Sequence, residues 1–170
     1  FWKIYLEKAL KLKHKYGSYK SRKKKYNIEF VSANPTGPLH VGHFRGAVLG
    51  ESLANLLAFN GNKMTKEYYV NDYGGQEKKF VDSVYYRILE IINKTPFPEN
   101  DNLYPGDYII DIANNIIKSK IIKNYTNYKK IFKKLANESL NISMQTIKEN
   151  LNLLGIKHDN FVHESTLIKK

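Results

Sequence analysis

The chain has 170 residues, no cysteine, and 28 basic side chains against 16 acidic ones. That length suffices for one core of ordinary size, and the missing thiol excludes a disulfide scaffold, a thiolate zinc site and a cysteine nucleophile. The longest apolar runs are broken by Glu51, Arg87 or Glu90, too short to span a membrane, and no secretory leader is visible. A first residue of Phe1 inside a helical pattern is what a piece of a longer protein shows, and the expected compartment is the cytoplasm.

The net charge of +12 is unevenly spread. Residues 1–26 carry ten basic and one acidic side chain, residues 27–100 seven and eight, and residues 101–170 eleven and seven. A basic arm on a near-neutral body fits contact with a phosphate backbone. Yet 25 of the 28 basic residues are Lys, and Asn, Ile and Tyr also abound, as adenine- and thymine-rich codon usage produces. Both readings of the arm stand.

In chain order, residues 1–16 predict a helix, with Trp2, Leu6, Ala9 and Leu10 on one face and Gly17 as its stop. Residues 17–26 read as a charged linker. Residues 27–34, NIEFVSAN, predict a strand, and ANPTGPL a loop rigidified by Pro35 and Pro38. From Val41 the pattern is helical as far as Gly61, and KEYYVND over 66–72 predicts a second strand. One helix between two strands makes a βαβ unit with a parallel pair. Residues 74–92 read as helical, followed by a loop with Pro96, Pro98 and Pro105, then helices near 107–123 and 127–154, and a strand in KHDNFVHES at 157–165. Roughly eighty mostly helical residues are long for one crossover, so an inserted helical subdomain is expected. The expected division is 1–26 helix and basic linker, 27–73 first sheet half, 74–155 helical insertion, and 156–170 returning strand.

The chemistry concentrates in Glu29 to Arg45, EFVSANPTGPLHVGHFR. A strand ends, a rigid loop turns, and His40-Val41-Gly42-His43 opens a helix. Free N–H groups at a helix start attract phosphate, and Gly42 lets a flat ring or a phosphate approach the backbone. His40 and His43, three apart, project to one side and can stabilise charge growing on phosphorus during attack on the α-phosphate of ATP. Two histidines also suit a metal, but no third ligand is adjacent, so no metal site is expected. Taken alone, the pair is a weak pattern that more often marks incidental cap residues; the strand before it, the Pro-Gly-Pro loop, the helix after it and the second strand beyond raise the functional reading. Asp72, Gly74 and Gln76 fall at the end of the second strand, where parallel sheets place ligands, and turn and contact roles are balanced there. His158, His163 and Glu164 read as ordinary strand-end polar groups, and the aromatic residues of the inserted helices as core.

The run from Ala33 to His43, ANPTGPLHVGH, resembles the HIGH motif of arginyl-tRNA synthetases, which are class I aminoacyl-tRNA synthetases. The resemblance continues through RGAVLGESLANLLAFNG, KEYYVNDYGGQ, LYPGDYIIDIA and NLLGIKHDNF, almost the whole chain; the linker SYKSRKKKY is its least typical part. It implies an α/β fold: the first half of a class I synthetase Rossmann fold, a parallel βαβ, with a helical connective insertion. His40 and His43 match the motif histidines that bind ATP and stabilise adenylation, and Gly42 the glycine against which adenine packs. Ser32, Ala33 and Asn34 match positions holding arginine, with His43 nearby, and Glu29 a carboxylate on the arginine side. A guanidinium asks for a buried carboxylate; without the resemblance Glu29 reads as an edge-strand surface charge. Asp72, Gly74 and Gln76 match a segment lining the active-site floor.

The resemblance implies ATP and arginine as substrates, Mg2+ with the nucleotide, arginine tRNA as partner and no membrane. Gly37 departs from family members that carry lysine there and lack the second signature, KMSKS; glycine implies that such a loop lies downstream, outside this chain. Lys63-Met64-Thr65-Lys66 looks similar but sits too early, and is expected to be a surface turn. The family's N-terminal tRNA-binding domain, second Rossmann half and anticodon-binding domain are also outside these residues, so the chain alone is expected to be inactive and to need the remainder of the synthetase. Two rivals are a small HIGH-type nucleotidyltransferase, and a non-catalytic RNA-binding remnant that uses the Lys-rich arm.

Overall fold

The structure, a computed structural model, describes residues 1–19 and 23–168. The first helix, α1 (Trp2–Leu12), buries none of its residues and passes into a short 3-10 turn at Lys13–Lys15. Part of the expected charged linker, residues 20–22, lies outside the described residues, as does the chain beyond 168.

Three strands form one parallel sheet in the order β1 (Lys25–Glu29), β2 (Lys63–Val70), β3 (Asn160–His163). Between β1 and β2 runs α2 (Val41–Phe59), which turns its small residues Ala47, Gly50 and Ala54 inward. Gly50 is the tightest of these: a Cβ there would lie 2.3 Å from Cγ of Phe30, so only glycine lets the helix sit this close to the chain leaving β1. Two expectations about β1 and β2 fail. Residues 63–66 are not a surface turn but the first half of β2, in register with β1 from Lys25 opposite Lys63. Lys66 is drawn inward, its Nζ 3.1 Å from both oxygens of Glu51. Conversely, the strand expected over 27–34 stops at Glu29, because Val31 (φ 68°) and Ser32 (φ 41°) are left-handed and cannot continue a pleat.

Between β2 and β3 lie α3 (Gly75–Asn93), α4 (Asp107–Ser119) and α5 (Tyr128–Leu153). Each helix follows the 3.6-residue period: Phe80, Val84 and Ile88 of α3, Ile109, Ile112 and Ile116 of α4, and Leu135 of α5 meet in a closed core. Tyr85, Tyr104, Tyr108, Tyr128 and Phe132 pack against it, as expected of core aromatics. A second core lies under the sheet, where Tyr68 and Val70 of β2 meet Phe30, Ala33, Leu39 and Ala47. The far half of α5 supplies Met144, Ile147 and Leu151 to this second core. At 26 residues and about 1.5 Å each, α5 is about 39 Å long and spans both. The chain ends in α6 (Glu164–Leu167), so the strand expected to reach residue 165 turns helical two residues earlier. Among the described residues no helix is long and apolar enough to cross a membrane.

Candidate functional site

The chain between β1 and α2 has no regular structure, yet Phe30, Ala33, Pro35, Thr36 and Leu39 are buried in it. Buried irregular backbone must find hydrogen-bond partners. Three ring side chains provide them at every third residue. His158 lies 3.2 Å from the Phe30 carbonyl through Nε2, the Tyr68 hydroxyl donates to the Ala33 carbonyl at 2.8 Å, and the Tyr108 hydroxyl donates to the Thr36 carbonyl at 3.1 Å. A carbonyl only accepts, so His158 carries its proton on Nε2. Burial, foremost, holds His158 below the usual histidine range, and burial followed by the neighbouring Tyr104 pushes the Tyr108 hydroxyl up to about 12. Both groups are therefore neutral near pH 7. The three tethers hold a turn that a β-branched Val31 would not adopt unaided.

At the helix start, His40 is the N-cap of α2. Its Nδ1 accepts the Gly42 N–H at 3.1 Å, and the Nδ1 of His43 accepts the His40 N–H at 3.2 Å, a reciprocal capping box built from imidazoles. The rings stack with centroids 3.8 Å apart. Because both Nδ1 atoms accept, each neutral ring carries its proton on Nε2, leaving two outward donors side by side. Desolvation, and then the neighbouring His40, lower the pKa of His43, which keeps that ring neutral. The bare Cα of Gly42 has a local cause as well: a Cβ would press on the His40 ring at 3.0 Å.

The other expected residues gather at the carboxyl ends of the strands. Ser32 Oγ donates to Glu29 Oε1 at 2.8 Å and accepts the Tyr69 N–H at 3.0 Å. Asn34 donates to Gln76 Oε1 at 2.7 Å. Glu29 is exposed rather than buried, since β1 is an edge of the sheet here and nothing among the described residues covers it. Asp72 is fully occupied: Oδ1 accepts the Ser165 N–H at 2.9 Å, and Oδ2 lies 2.9 Å from Ser165 Oγ and 2.8 Å from His163 Nδ1. Burial raises its pKa, but these bonds outweigh that and leave it below the usual carboxylate value. Asn71, in the amide orientation its neighbours require, donates to Glu164 Oε2 at 2.7 Å. Gly74 touches none of these groups; its φ of 111° caps α3 in a conformation reserved for glycine.

The strand ends are thus negative. Desolvation, then Glu164, Asp72 and Glu29 in turn, raise the pKa of the Tyr69 hydroxyl. Desolvation and then Asp72 raise that of Glu77. Such a surface favours a cation, as the helix start favours an anion. No hydrogen bond joins the histidine pair to the strand-end groups. His163, Glu164 and Ser165 were not legible as members of this cluster, since only the parallel pairing of β2 with β3 brings them beside Asp72. Among the described residues no three His, Cys, Asp or Glu side chains converge as a metal site.

Residues 5–167 match the family of class I tRNA synthetases for arginine, catalytic domain. The chain belongs to the arginyl-tRNA synthetase catalytic-domain family. It is 49% identical over 171 aligned positions to the arginine–tRNA ligase of Pelagibacter ubique, covering 99% of this chain and 30% of that protein. It is 40% identical to the ligase of Helicobacter pylori, covering 99% and 32%. A crystal structure from Campylobacter jejuni assigned to arginyl-tRNA synthetase superposes with a TM-score of 0.83 at 33% identity, over 94% of this chain and 35% of that one. The arginyl-tRNA synthetase of Thermus thermophilus, at 22% identity and a TM-score of 0.59, shares the fold. This member of the family therefore spans about a third of its relatives' length.

Proposed function

We propose that the chain forms part of an arginine–tRNA ligase, acting in the cytoplasm, which activates arginine with ATP and transfers it to the 3′ end of arginine tRNA. In the first step an arginine carboxylate oxygen bonds to the α-phosphorus, the bond to the bridging oxygen of pyrophosphate breaks, and pyrophosphate leaves with its electron pair. A ribose hydroxyl of the tRNA then takes the arginyl group and AMP leaves. No covalent enzyme intermediate is needed.

The observation that carries this reading is the imidazole capping box. Both Nδ1 atoms are committed to backbone N–H groups, so the Nε2–H donors of His40 and His43 are pre-aimed at phosphate oxygens and need no reorganisation as charge develops. Adenine packs over the exposed backbone at Gly42. Glu29, Ser32 and Asn34, with the Ala33 backbone and His43, hold the amino acid, and Gln76 steadies Asn34 from the floor. Asp72 acts from behind, fixing the end of β2 against β3, and Gly74 shapes the turn into α3. We read residues 27–73 and 156–170 as one unit around this site, with 74–155 inserted in it. Among the described residues no three His, Cys, Asp or Glu side chains converge; the magnesium ion is expected to be held chiefly by nucleotide oxygens and water, and no step is routed through it. The match across residues 5–167 weighs against a self-contained nucleotidyltransferase or an RNA-binding remnant.

The test is arginine-dependent ATP–pyrophosphate exchange by the complete gene product with arginine tRNA present. His43→Ala should lower the rate by roughly 10²–10³, the usual cost of one transition-state donor. An unchanged rate, or exchange driven by another amino acid, would refute the reading. The 170-residue chain by itself is expected to charge no tRNA.

A further inference from the structure

His158 is a titratable group that the chemistry proposed above leaves unused. Its ring is enclosed by three others, with centroids 4.3 Å from Phe30, 5.3 Å from Tyr68 and 5.8 Å from Phe161. Its Nδ1 is sealed from solvent and has no hydrogen-bond partner. A buried polar atom without a partner is destabilising, and a phenyl ring would fill the same aromatic box without that cost. Packing therefore does not account for a histidine here. The account lies in the other nitrogen, Nε2, which donates to the Phe30 carbonyl at 3.2 Å.

That carbonyl is where β1 leaves the sheet. Phe30 N–H still bonds to the Glu67 carbonyl at 3.2 Å, and an uninterrupted parallel ladder would next join the Tyr69 N–H to the Phe30 carbonyl. Instead that carbonyl is turned away, toward His158 and toward the Ser32 N–H, which reaches it at 3.0 Å across Val31. A three-residue turn closed over a central residue of positive φ, here 68°, is the rare and strained form, and a β-branched side chain resists it. The turn brings the Ser32 hydroxyl onto the vacated Tyr69 N–H at 3.0 Å, and the same hydroxyl donates to Glu29 Oε1 at 2.8 Å. The placement of Ser32 and Glu29 thus follows from the turn at Val31. His158 holds that turn from a firm base: the Asp159 N–H donates to the Lys66 carbonyl and the Lys66 N–H to Asp159 Oδ2, both at 2.8 Å. His40 and His43 are fixed separately, by their own capping box.

We propose that His158 is a positioning residue for arginine: its Nε2–H clamps the Phe30 carbonyl, holds the Val31 turn and so presents Ser32 and Glu29 to the amino acid, while ATP binding is left to the helix start. The inference rests on the function proposed above. Acid should release the clamp. Protonation adds an N–H at Nδ1, which has no acceptor, so a charged ring is driven out of its box. Lys66 of β2 opposes the charge; Glu51 of α2 favours it but is paired with that Lys66 at 3.1 Å, and Asp159 favours it but is engaged with the Lys66 N–H. Lys148 and Glu149 of α5 and the adjacent Lys157 line the groove that His158 borders, and burial keeps the Tyr68 hydroxyl neutral. Burial of His158 is the largest of these influences and holds it below the ordinary histidine value.

The test is arginine-dependent ATP–pyrophosphate exchange by the complete gene product with arginine tRNA, together with hydrogen–deuterium exchange of the peptide from Phe30 to Asn34. His158→Phe keeps a ring and removes the donor; His158→Gln keeps a donor and removes the ring. The Phe variant should raise the KM for arginine about tenfold, as loss of one buried hydrogen bond does, leave kcat and the KM for ATP within about twofold, and speed deuteration of the peptide. The Gln variant should stay near native in all of these. A side chain that only packed would give the reverse order. From about pH 7 to about pH 5.5 the native KM for arginine should rise more steeply than that of the Gln variant, which has no proton to gain there. An arginine KM unchanged in the Phe variant, equal impairment of the Gln variant, a loss carried by kcat or by ATP instead, or parallel pH profiles would overturn the proposal. Absent arginine-dependent exchange in the native protein would instead refute the function proposed above, and peptide deuteration would still decide whether His158 holds the turn.

Discussion

The helical insertion and the motif loop are held in opposite ways. The insertion closes on itself through burial: Phe80, Val84, Ile88, Ile109 and Ile116 are fully excluded from solvent, and the hydrophobic effect is non-directional. The motif loop carries its shape through a few directed bonds, three ring donors on three carbonyls. Around it the α/β part stays open, with Val41, Val48, Leu49 and Leu56 of α2 exposed. Burial tolerates adjustment; directed bonds fix atoms to a fraction of an ångström, which chemistry requires. The molecule thus keeps its stability and its precision in different places.

The largest expected effect tests the first half of that contrast. Ile116→Ala empties a fully buried position and should cost about 2–5 kcal/mol, read as a lower urea midpoint, while the Phe30 ring resonances stay where they are. Unmoved stability would mean that the insertion core is not the anchor. Next is Gly50→Ala. Its new methyl meets Phe30 at 2.3–2.6 Å and should cost about 1–3 kcal/mol. Here the Phe30 resonances should shift and those of Phe80 should not, the reverse of the first variant.

The smallest effect separates the two regions by pH. Residues 74–155 contain no histidine, so the two shifted histidines, His43 and His158, both lie outside the insertion. His43 and His158 both have folded pKa values below the ordinary value of 6.5. The unfolded chain then binds more protons than the folded one below that pH. Their contribution is complete above about pH 6.5 and is lost as pH falls toward the folded values. Urea midpoints should fall between pH 7 and 5.5, and replacing His158 by Gln should shrink the fall. A midpoint that rises on acidification would contradict the assignment of neutral rings.

The parallel pair and the helix from Val41 were legible because strand, rigid loop and helix cap each leave a local signal. The end of β1 was not. Phe30 and Val31 have strand propensity, and the carbonyl tethers that bend them come from Tyr68, Tyr108 and His158, the last 128 positions away. Lys63–Lys66 misled for the same reason, since only pairing with Lys25–Ile28 makes it a strand. Within the candidate site, the histidine pair stood out through its setting, a strand and rigid loop before it and a helix after it, and not through spacing alone. The partners of Asp72 did not, because His163 and Ser165 stand more than ninety positions from it.

The long helix α5 has one further consequence. Leu135 and Ala136 near its start belong to one core, and Ile147 and Leu151 near its end to the other. No stretch of it can fray inward without stripping residues from one core and then the other. The two halves should therefore melt as one cooperative unit, giving a single calorimetric peak with equal calorimetric and van't Hoff enthalpies.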